Sequence, residues 1–574
     1  MKNREVAKIL DEMSLLLEMK EIPFKPQAYQ KAKYSLESLE KDIEEIYEKQ
    51  GIDGLMKIPG IGEGIAKRIE EYLKTGRIKD YEKLKKEFPV DIEELTSIEG
   101  VGPRHVKLFY QKLKIKNAAD LERAAKAGKL RKLPRMGEKL ERKILKGIEL
   151  RKKYAGRFLL GEALPMAREI AKRIEKIKGV EKVAPAGSLR RRKETIGDLD
   201  FLVVSEKPET AMDYFVSMPE VIDIRGKGET KSIVKLKSGI DADIRVIAPE
   251  SFGAALQYFT GSKEHNILLR KIAQKMGYKL NEYGLFRNNK MIAGKTEEEV
   301  YKKLGLKWIP PEIREGGEET ELAAKNKLPK LVDLKDIKGD LHAHTTWSEG
   351  INSIEDMALA AQDLGYEYLL ISDHTKYLAM TGGMDEKKLE RQMEEIDKLN
   401  AKRKSQSANF RILKGAEVNI MEDGSLDIKD EVLKKLDFAG AAIHHKFNLS
   451  KEEQTRRLIK VMENPNVDII YHLTGRLINR REPIEFDLEK IFASAAKTKT
   501  ILEINSHPSR LDLKDEHIKL AKKYGAKFAI STDAHNINEL PLMEYGVSQA
   551  RRGWLEKKDV LNTLPLDKFL NFIF

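Results

Sequence analysis

The spacing at which apolar residues recur changes along this chain. Up to about residue 150, apolar side chains recur at helical spacing. Beyond that point, short apolar runs of strand length appear at 200–204 and 239–247. After residue 337, further short apolar segments alternate with helical ones, at 368–371, 438–443, 467–471 and 528–530. This last alternation predicts an α/β barrel, in which ligands gather at the carboxyl ends of the strands.

Composition narrows the class of protein. The 574 residues, 41% of them hydrophobic, suffice for several domains. No apolar run reaches the roughly 18 residues of a membrane span, and the start of the chain leads into a helical pattern instead of a secretory signal. The chain has no cysteine, which excludes disulfides and thiolate metal sites. We expect a cytoplasmic protein that does not bind membranes.

Positive charge is concentrated in one part of the chain. Residues 101–200 contain 29 Lys and Arg against 12 Asp and Glu, whereas the formal net charge of the whole chain is +13. A basic block of this kind predicts a polyanionic partner. Solvated helix faces also carry many such charges, so charge alone leaves nucleic-acid binding undecided.

Glycine turns between the helical segments favour DNA as the partner. Gly60 and Gly62, and again Gly100 and Gly102, precede a helical pattern, and residues 133–137 form a weaker third copy. Such glycines let the backbone approach a phosphate, and the following helix start offers free N–H groups. The turns resemble helix-hairpin-helix motifs, which hold the DNA backbone without reading its sequence. We expect the four glycines to contact DNA.

Acidic residues in the central part have a spacing that suits metal ions. Asp198 and Asp200 stand at the start of one predicted strand, and Asp243 lies in another. Residues two apart on a strand point to one face. A Gly-Ser turn at Gly187 and Ser188, followed by arginines, can bring N–H groups and positive charge to a phosphate. Three carboxylates can hold two Mg²⁺ ions about 4 Å apart, as nucleotidyl transfer requires.

These motifs, followed by Tyr-Phe-Thr-Gly-Ser at 258–262, resemble family X DNA polymerases of the nucleotidyltransferase superfamily. The resemblance implies two helical DNA-binding domains at 1–82 and 83–150, a palm at 151–247 and a nucleotide-selection subdomain at 248–313. It implies that Asp198, Asp200 and Asp243 are catalytic, with Asp243 activating the primer 3′-hydroxyl. The nucleotide contacts that it implies are Gly187, Ser188, Arg191, Tyr258, Phe259, Gly261, Lys263 and Asn266.

Two positions depart from the family pattern. Lys263 stands where vertebrate members have an aspartate, and we expect it to tighten nucleotide binding. Arg68 stands where lyase members use a lysine amine, and a guanidinium is a poor Schiff-base nucleophile. Lyase activity is therefore not expected, although Lys25 and Tyr29 match positions that bind a DNA 5′ end.

The C-terminal part carries a second set of candidate ligands. Residues 314–337 are polar and follow two prolines, which predicts a partly flexible linker. Nine of the eleven histidines fall after residue 337, in clusters with acids. This layout resembles the PHP (polymerase and histidinol phosphatase) domain, a distorted barrel, at 338–574. The resemblance implies up to three Mn²⁺ or Zn²⁺ ions and the ligands His342, His344, Glu349, His374, Glu417, His444, His472, Asp533 and His535.

Within this set, the resemblance makes Glu417 the bridging acid, and Glu349 replaces the usual aspartate. His445, His507 and His517 are given no metal role. Three arginines near His472 either hold a DNA phosphate or form a solvated helix face: Arg476, Arg480 and Arg481.

Together the motifs predict a multidomain, monomeric DNA polymerase that fills short gaps in DNA repair, using gapped or primed DNA and dNTPs. The resemblance to PHP domains implies metal-assisted phosphodiester hydrolysis by this part of the chain: 3′–5′ exonuclease activity, 3′-phosphate removal and cleavage at abasic sites. Two alternatives remain. One is a template-independent nucleotidyltransferase. The other is a DNA-end-binding protein whose PHP domain is only structural.

Overall fold

The computed structural model describes residues 2–37, 39, 41–378, 381–404 and 410–573. Contacts divide the chain into two units, one of residues 1–155 with 479–482 and one of residues 156–478 with 483–574. In the described part of the chain, no helix combines the length and the apolar character needed to cross a bilayer.

The first unit is helical, as its apolar spacing predicts. Its helices are α1 (Lys2–Met19), α2 (Lys25–Glu37), α3 (Ile43–Met56), α4 (Glu63–Thr75), α5 (Lys79–Glu87), α6 (Ile92–Thr96), α7 (Pro103–Leu113), α8 (Ala118–Lys126) and α9 (Glu138–Lys153). On α4, for example, Ile65, Ala66 and Ile69 lie on one buried face. One apolar cluster extends from Val6 to Ile148. The two predicted helical domains, 1–82 and 83–150, therefore share a core.

The second unit begins with the predicted palm. Its elements are β1 (Phe158–Leu159), α10 (Leu160–Ile174), β2 (Val180–Pro185), α11 (Gly187–Arg190), β3 (Thr195–Ile196), β4 (Asp198–Ser205), α12 (Pro208–Val216), β5 (Val221–Lys227), β6 (Lys231–Leu236) and β7 (Asp241–Val246). Five strands form a sheet in the order β2-β4-β7-β6-β5, in which only the central pair, β4 and β7, is parallel. This pair brings the two acidic strand starts to the same edge.

A smaller mixed segment follows the palm. It comprises α13 (Phe252–Thr260), α14 (Lys263–Lys275), the antiparallel strands β8 (Lys279–Asn281), β9 (Gly284–Arg287) and β10 (Lys290–Ala293), then α15 (Glu297–Lys303) and α16 (Glu319–Ala324). The helix α16 lies inside the predicted linker.

Buried residues anchor the predicted linker, residues 314–337, near both of its ends and at the helix α16. Arg314 is fully buried, and its guanidinium pairs with the Glu297 carboxylate at 2.6 Å. Val332 is also fully buried and belongs to the core of the following barrel. The prediction of a partly flexible linker was based on the polar composition of this segment. Composition does not reveal that a charged residue such as Arg314 is buried in an ion pair.

The C-terminal part is a parallel barrel. Its elements are β11 (Gly339–Ala343), α17 (Ile354–Asp363), β12 (Tyr368–Ile371), α18 (Glu386–Lys404), β13 (Arg411–Asn419), α19 (Asp430–Leu433), β14 (Phe438–Ala442), α20 (Lys451–Met462), β15 (Ile469–Ile470), α21 (Leu488–Thr498), β16 (Ile501–Asn505), α22 (Asp515–Lys523), β17 (Phe528–Ser531), α23 (Met543–Arg552) and α24 (Leu566–Ile573). The strands pair in sequence order, β11 to β17. A bridge between Ala343 and Ala534 nearly closes the ring.

The palm and the barrel share apolar packing. The palm core includes three residues that lie outside the palm, in or beside the barrel: Ile478, Leu511 and Tyr545. Close approach is visible at Gly161 on α10, where an added Cβ would lie 2.5 Å from the Pro508 ring. Apolar side chains of the two parts therefore pack directly against each other.

Candidate active sites

Four aspartates lie on one face of the palm sheet. In the parallel pair, Asp198 stands opposite Asp241 and Asp200 opposite Asp243, so the carboxylates are neighbours. Burial raises the pKa of Asp200 to about 7, and the carboxylates of Asp198 and Asp243 add to the rise. Burial and Asp243 also raise the pKa of Asp198. A divalent cation among such carboxylates would relieve their repulsion.

Asp241 differs from the predicted catalytic trio in its partners. Its carboxylate accepts a hydrogen bond from the Arg225 guanidinium at 2.7 Å, and Lys235 lies 3.7 Å away. The positive charge that it needs is therefore already supplied by the protein.

A turn beside these carboxylates requires glycine. Gly187 has a φ of +61°, and an added Cβ would lie 2.1 Å from Oδ2 of Asp200. The backbone N–H of Ala186 donates to the carbonyl oxygen of Asp200 at 2.9 Å. The predicted phosphate-binding turn, Gly187 and Ser188, thus adjoins the predicted metal-binding carboxylate.

Arg191 links this turn to the segment after the palm. Its guanidinium donates to the carbonyl oxygen of Thr260. A Cβ added to Gly261 would lie 3.0 Å from its Nη1 atom. Burial lowers the pKa of Arg191, and Glu315 works against that effect. Three predicted nucleotide-binding positions, Gly187, Arg191 and Gly261, are therefore close together.

The aromatic pair lies at the same place. The rings of Tyr258 and Phe259 meet edge to face with centroids 5.1 Å apart. The Arg245 guanidinium lies 4.5 Å from the Phe259 ring centroid. Arg245 shares its face of β7 with Asp243, because the two residues are two apart on the strand. Phe259 is thereby placed beside the carboxylates.

The two remaining nucleotide candidates differ in freedom. The Asn266 amide donates to the Tyr258 carbonyl oxygen at 2.7 Å, and its oxygen accepts from Gln257 at 2.7 Å. Asn266 therefore anchors the end of α13. Lys263 is exposed at the first position of α14.

The three glycine turns of the helical unit have the same backbone shape. Gly60, Gly100 and Arg135 occupy equivalent positions with φ values of +78°, +87° and +62°. The glycine two residues later caps the next helix in each case, at Gly62, Gly102 and Gly137. Cβ atoms added to these three would meet nothing within 4 Å. The third copy has thus kept the motif geometry despite having lost its first glycine.

One of the two predicted 5′-end residues, Tyr29, lies against Arg68. Its guanidinium donates to the Gly64 carbonyl oxygen at 2.6 Å and pairs with Asp80. It also lies 6.0 Å from the centroid of the Tyr29 ring, while Lys25 lies at the start of the same helix, α2. Arg68 is therefore held in place at the position where lyase members have a lysine.

In the barrel, the predicted ligands converge on Glu417. Its side chain is fully buried and lies within 3.5 Å of five imidazoles: His342, His344, His374, His444 and His472. The central position suits the bridging role that the family resemblance implies. Each ligand comes from a strand or from the residues that follow one, at the carboxyl end of the barrel.

The remaining ligands complete the ring. Glu349 lies 2.7 Å from Nε2 of His374 and 3.1 Å from Nε2 of His535. The longer side chain at this position therefore reaches the cluster. Asp533 lies 3.2 Å from Nε2 of His344. All nine predicted ligands are in contact with the same cluster.

The charges of this cluster are tightly linked. Burial opposes ionisation of Glu417, but His374, His444 and His342 bring its pKa well below the ordinary value. Burial likewise lowers the pKa of His374, but Glu417 and Glu349 raise it to about 10. Burial, helped by Arg510, lowers the pKa of His472 to about 3.

The donor set fits divalent metal ions. Among the described residues, three groups could each hold a metal ion, because the donor atoms within each group all lie within 4.8 Å of one another. The groups are His344, Glu349, His374 and His535; His342, His344 and Asp533; and His374, Glu417 and His444. In the described residues, the Nδ1 atoms of His344 and His472 are buried without a hydrogen-bond partner. Imidazole and carboxylate donors together suit Zn²⁺, Mn²⁺ or Fe²⁺.

Models of known families match four segments of the chain. Helix-hairpin-helix models match residues 1–78 and, as a SAM-like tandem, 92–151. The DNA polymerase beta thumb model matches residues 255–315, and the PHP model matches residues 340–530. A Leishmania infantum polymerase beta structure aligns with 39% of this chain and 97% of its own, at 22% identity and a TM-score of 0.26.

Full-length similarity decides the family. The DNA polymerase/3′-5′ exonuclease PolX of Bacillus subtilis is 38% identical over 99% of this chain and 98% of its own. The chain belongs to the PolX family. A probable phosphatase of Thermoanaerobacter sp. strain X514 is 30% identical over 39% of this PolX chain and 89% of its own length. The predicted family and fold class are confirmed.

The PolX barrel also contains polar residues that sequence reasoning missed. Glu503 on β16 lies 2.7 Å from Nδ1 of His342, and its other oxygen accepts from the His472 backbone N–H at 2.6 Å. Asn419 lies 2.8 Å from Nδ1 of His444. These contacts fix the orientation of imidazoles whose Nε2 atoms face Glu417. A single acid within the apolar run 501–504 was the available signal.

Arg476 corrects a sequence interpretation. It is 8% exposed and donates to the Arg510 carbonyl oxygen and to Glu194, each at 2.8 Å. It is therefore neither a phosphate-binding residue nor part of a solvated face, but a buried cation between barrel and palm. Arg480 and Arg481 belong to the segment 479–482 that groups with the helical unit.

Proposed function

We propose that this PolX-family chain is a DNA polymerase with 3′–5′ exonuclease activity and that the two reactions use separate sites. The full-length similarity to the Bacillus subtilis polymerase/exonuclease supports this assignment. The observation that carries it is that one chain holds two separate sets of candidate metal ligands, the aspartates of β4 and β7 and the histidine cluster around Glu417.

In the polymerase site, we assign Asp198, Asp200 and Asp243 as ligands of two Mg²⁺ ions. Bound Mg²⁺ supplies charge neutralisation for the triphosphate and the departing pyrophosphate. Asp243 accepts the proton of the primer 3′-hydroxyl, and Arg191 holds the triphosphate. Tyr258 and Phe259 pack beneath the deoxyribose, and the remaining proposed nucleotide contacts are Gly187, Ser188, Gly261, Lys263 and Asn266.

In the barrel, the nine ligands are proposed to hold up to three Mn²⁺ or Zn²⁺ ions. Bound ions supply an activated water and neutralise charge on the phosphodiester. The protein's part is orientation, since Glu503 and Asn419 hold His342 and His444 in place. The similarity to probable phosphatases supports hydrolysis of phosphate esters, with 3′-phosphates and abasic sites as further candidate substrates.

The biological setting follows from the substrates. Gapped or primed DNA and dNTPs are the proposed partners, with the helix-hairpin-helix turns and the residues Lys25 and Tyr29 gripping DNA. Filling short gaps during repair in the cytoplasm, as a monomer, completes the proposal.

A labelled primer on a one-nucleotide gap tests both activities. We would compare extension with dNTPs and Mg²⁺ and 3′ shortening with Mn²⁺ alone. Asp243→Ala should abolish extension and spare shortening, and His342→Ala should do the reverse. Matched controls are Asp241→Ala, which lies on the same strand face, and His445→Ala, whose ring packs 4.3 Å from Tyr377.

Each alternative gives a distinct result. Extension of single strands without a template would identify a template-independent transferase. A wild-type protein that never shortens primers and binds no Mn²⁺ would leave the barrel with a structural role only.

A further inference from the structure

A buried arginine joins the nuclease barrel to the palm. Arg552, the last residue of α23, is 5% exposed. Its Nη1 atom donates to the carbonyl oxygen of Arg191 at 2.8 Å and to the Glu315 carboxylate at 2.9 Å. Its Nη2 atom donates to Asp515 at 2.5 Å. A barrel residue thus holds the backbone at the position proposed to bind triphosphate.

The same carboxylate connects the two arginines. Glu315 lies 3.5 Å from Nε of Arg191, 3.2 Å from Nζ of Lys193 and within hydrogen-bond distance of Arg552. One acid is therefore shared by three cations around the phosphate-binding turn. The position of Glu315 relative to Arg191 depends on the guanidinium of Arg552.

The contact from Arg552 reaches the backbone at a sharp turn. Arg192 has a φ of +55°, a left-handed conformation that costs a non-glycine residue free energy. Two hydrogen bonds within the turn help to hold it: the Arg192 N–H donates to the Leu189 carbonyl oxygen at 3.0 Å, and the Lys193 N–H donates to the Ser188 carbonyl oxygen at 3.1 Å. The bond from Arg552 to the Arg191 carbonyl oxygen immediately precedes this strained residue.

We propose that Arg552 is a positioning residue for the polymerase reaction, although it belongs to the nuclease barrel. It fixes the loop and the Glu315 carboxylate so that Arg191 meets the triphosphate of the incoming nucleotide. The inference rests on the proposed polymerase function and extends it, because it makes the barrel part of the nucleotide-binding apparatus.

The neighbouring arginine provides a matched control. Arg551 also lies at the end of α23, and it donates to the Glu312 carboxylate at 2.8 Å and to the Val332 carbonyl oxygen at 3.0 Å. These contacts join the barrel to Glu312 and to the predicted linker without touching the turn at Arg191, whereas Arg552 donates to the Glu312 carbonyl oxygen at 3.2 Å in addition to its contacts at that turn. Arg551→Gln and Arg552→Gln therefore remove similar side chains with different attachments.

The test is gap-filling kinetics on the full chain. Arg552→Gln should raise the KM for dNTP about tenfold or more, with a smaller change in kcat, because a misplaced phosphate contact weakens nucleotide binding. Arg552→Lys should recover part of the loss, since it keeps the charge. Arg551→Gln should leave the KM near that of wild type. The rate of 3′ shortening in Mn²⁺, measured on the same preparations, should stay within about twofold of wild type in all three variants.

Two results would overturn the proposal. One is an unchanged KM in Arg552→Gln, and the other is an equal loss in Arg551→Gln or of both activities together. If Arg552→Gln does not yield folded protein, Arg552→Lys is judged by the same two criteria. Absence of extension by the wild-type chain would instead refute the proposed function itself, so the two failures are distinguishable.

Discussion

At the scale of single residues, the carboxylates of the palm site repel one another. Asp200 is half-buried beside Asp198 and opposite Asp243, and its pKa is raised from 3.8 to about 7. In the unfolded chain the same carboxyl ionises near its ordinary pKa. Between these two values the folded state keeps a proton that the unfolded state has lost. Stability without metal therefore falls as the pH rises from about 4 to 7.

Asp200→Asn should remove this penalty. In metal-free buffer at pH 8 we expect a stability gain of at most about 4 kcal/mol, which corresponds to three pKa units. The gain should disappear below about pH 3, where the carboxyl is protonated in both states, and extension should be lost at every pH. Calorimetry of the full chain in chelator, across this pH range, measures the effect.

Asp241→Asn is the control for this experiment. Its carboxylate is already paired with Arg225 at 2.7 Å, so its removal should give no gain at pH 8. Equal transition temperatures for Asp200→Asn and wild type at pH 8 would contradict the interpretation.

At the scale of elements, the third turn of the helical unit has the backbone geometry of the other two, although Arg135 stands where they have glycine. Arg135 is exposed and takes a φ of +62°, where Gly60 and Gly100 take the same conformation at no steric cost. The turn is therefore determined by its neighbours, including the buried Met136 and the helix cap at Gly137.

Arg135→Gly should stabilise the helical unit relative to Arg135→Ala by about 1 kcal/mol, because glycine alone relieves the left-handed strain. Both variants lose the same guanidinium, so the difference between them isolates the backbone. Urea unfolding of the full chain, followed by helix content, measures it. Equal midpoints for the two variants would show that the turn is unstrained.

Sequence reasoning succeeded where local spacing carries the information. His342 and His344, two apart at a strand end, identified the barrel site, and the start of β4 was placed from Asp198 and Asp200. It failed where a lone polar residue acts across the fold. Glu503, Arg476 and Arg314 are each isolated in sequence, and their partners come from distant segments. No periodicity announces such residues.

At the scale of the whole molecule, the two units should respond differently to metal. The barrel cluster lies in the second unit, and ligands that bind only the folded state stabilise it by mass action. Added Mn²⁺ should raise the unfolding temperature of that unit and leave the helical unit unchanged. A hundredfold excess over the dissociation constant corresponds to about 2.7 kcal/mol for one ion.

Calorimetry of wild type, His342→Ala and His445→Ala with and without Mn²⁺ tests this expectation. The shift should shrink in His342→Ala and persist in His445→Ala, which keeps every ligand. A shift of the same size in His342→Ala would place the stabilising ions outside the barrel cluster.

The shared packing of palm and barrel has an evolutionary consequence. The palm core includes Ile478, Leu511 and Tyr545. A gene truncated at the predicted linker would therefore encode a polymerase whose palm exposes apolar side chains to solvent. A lineage that no longer needs the nuclease can lose the metal ligands of the barrel one substitution at a time. Loss of the whole barrel would require several apolar residues of the palm to be replaced by polar ones at the same time. We therefore expect descendants that keep a barrel without metal ligands to outnumber descendants that have lost the barrel.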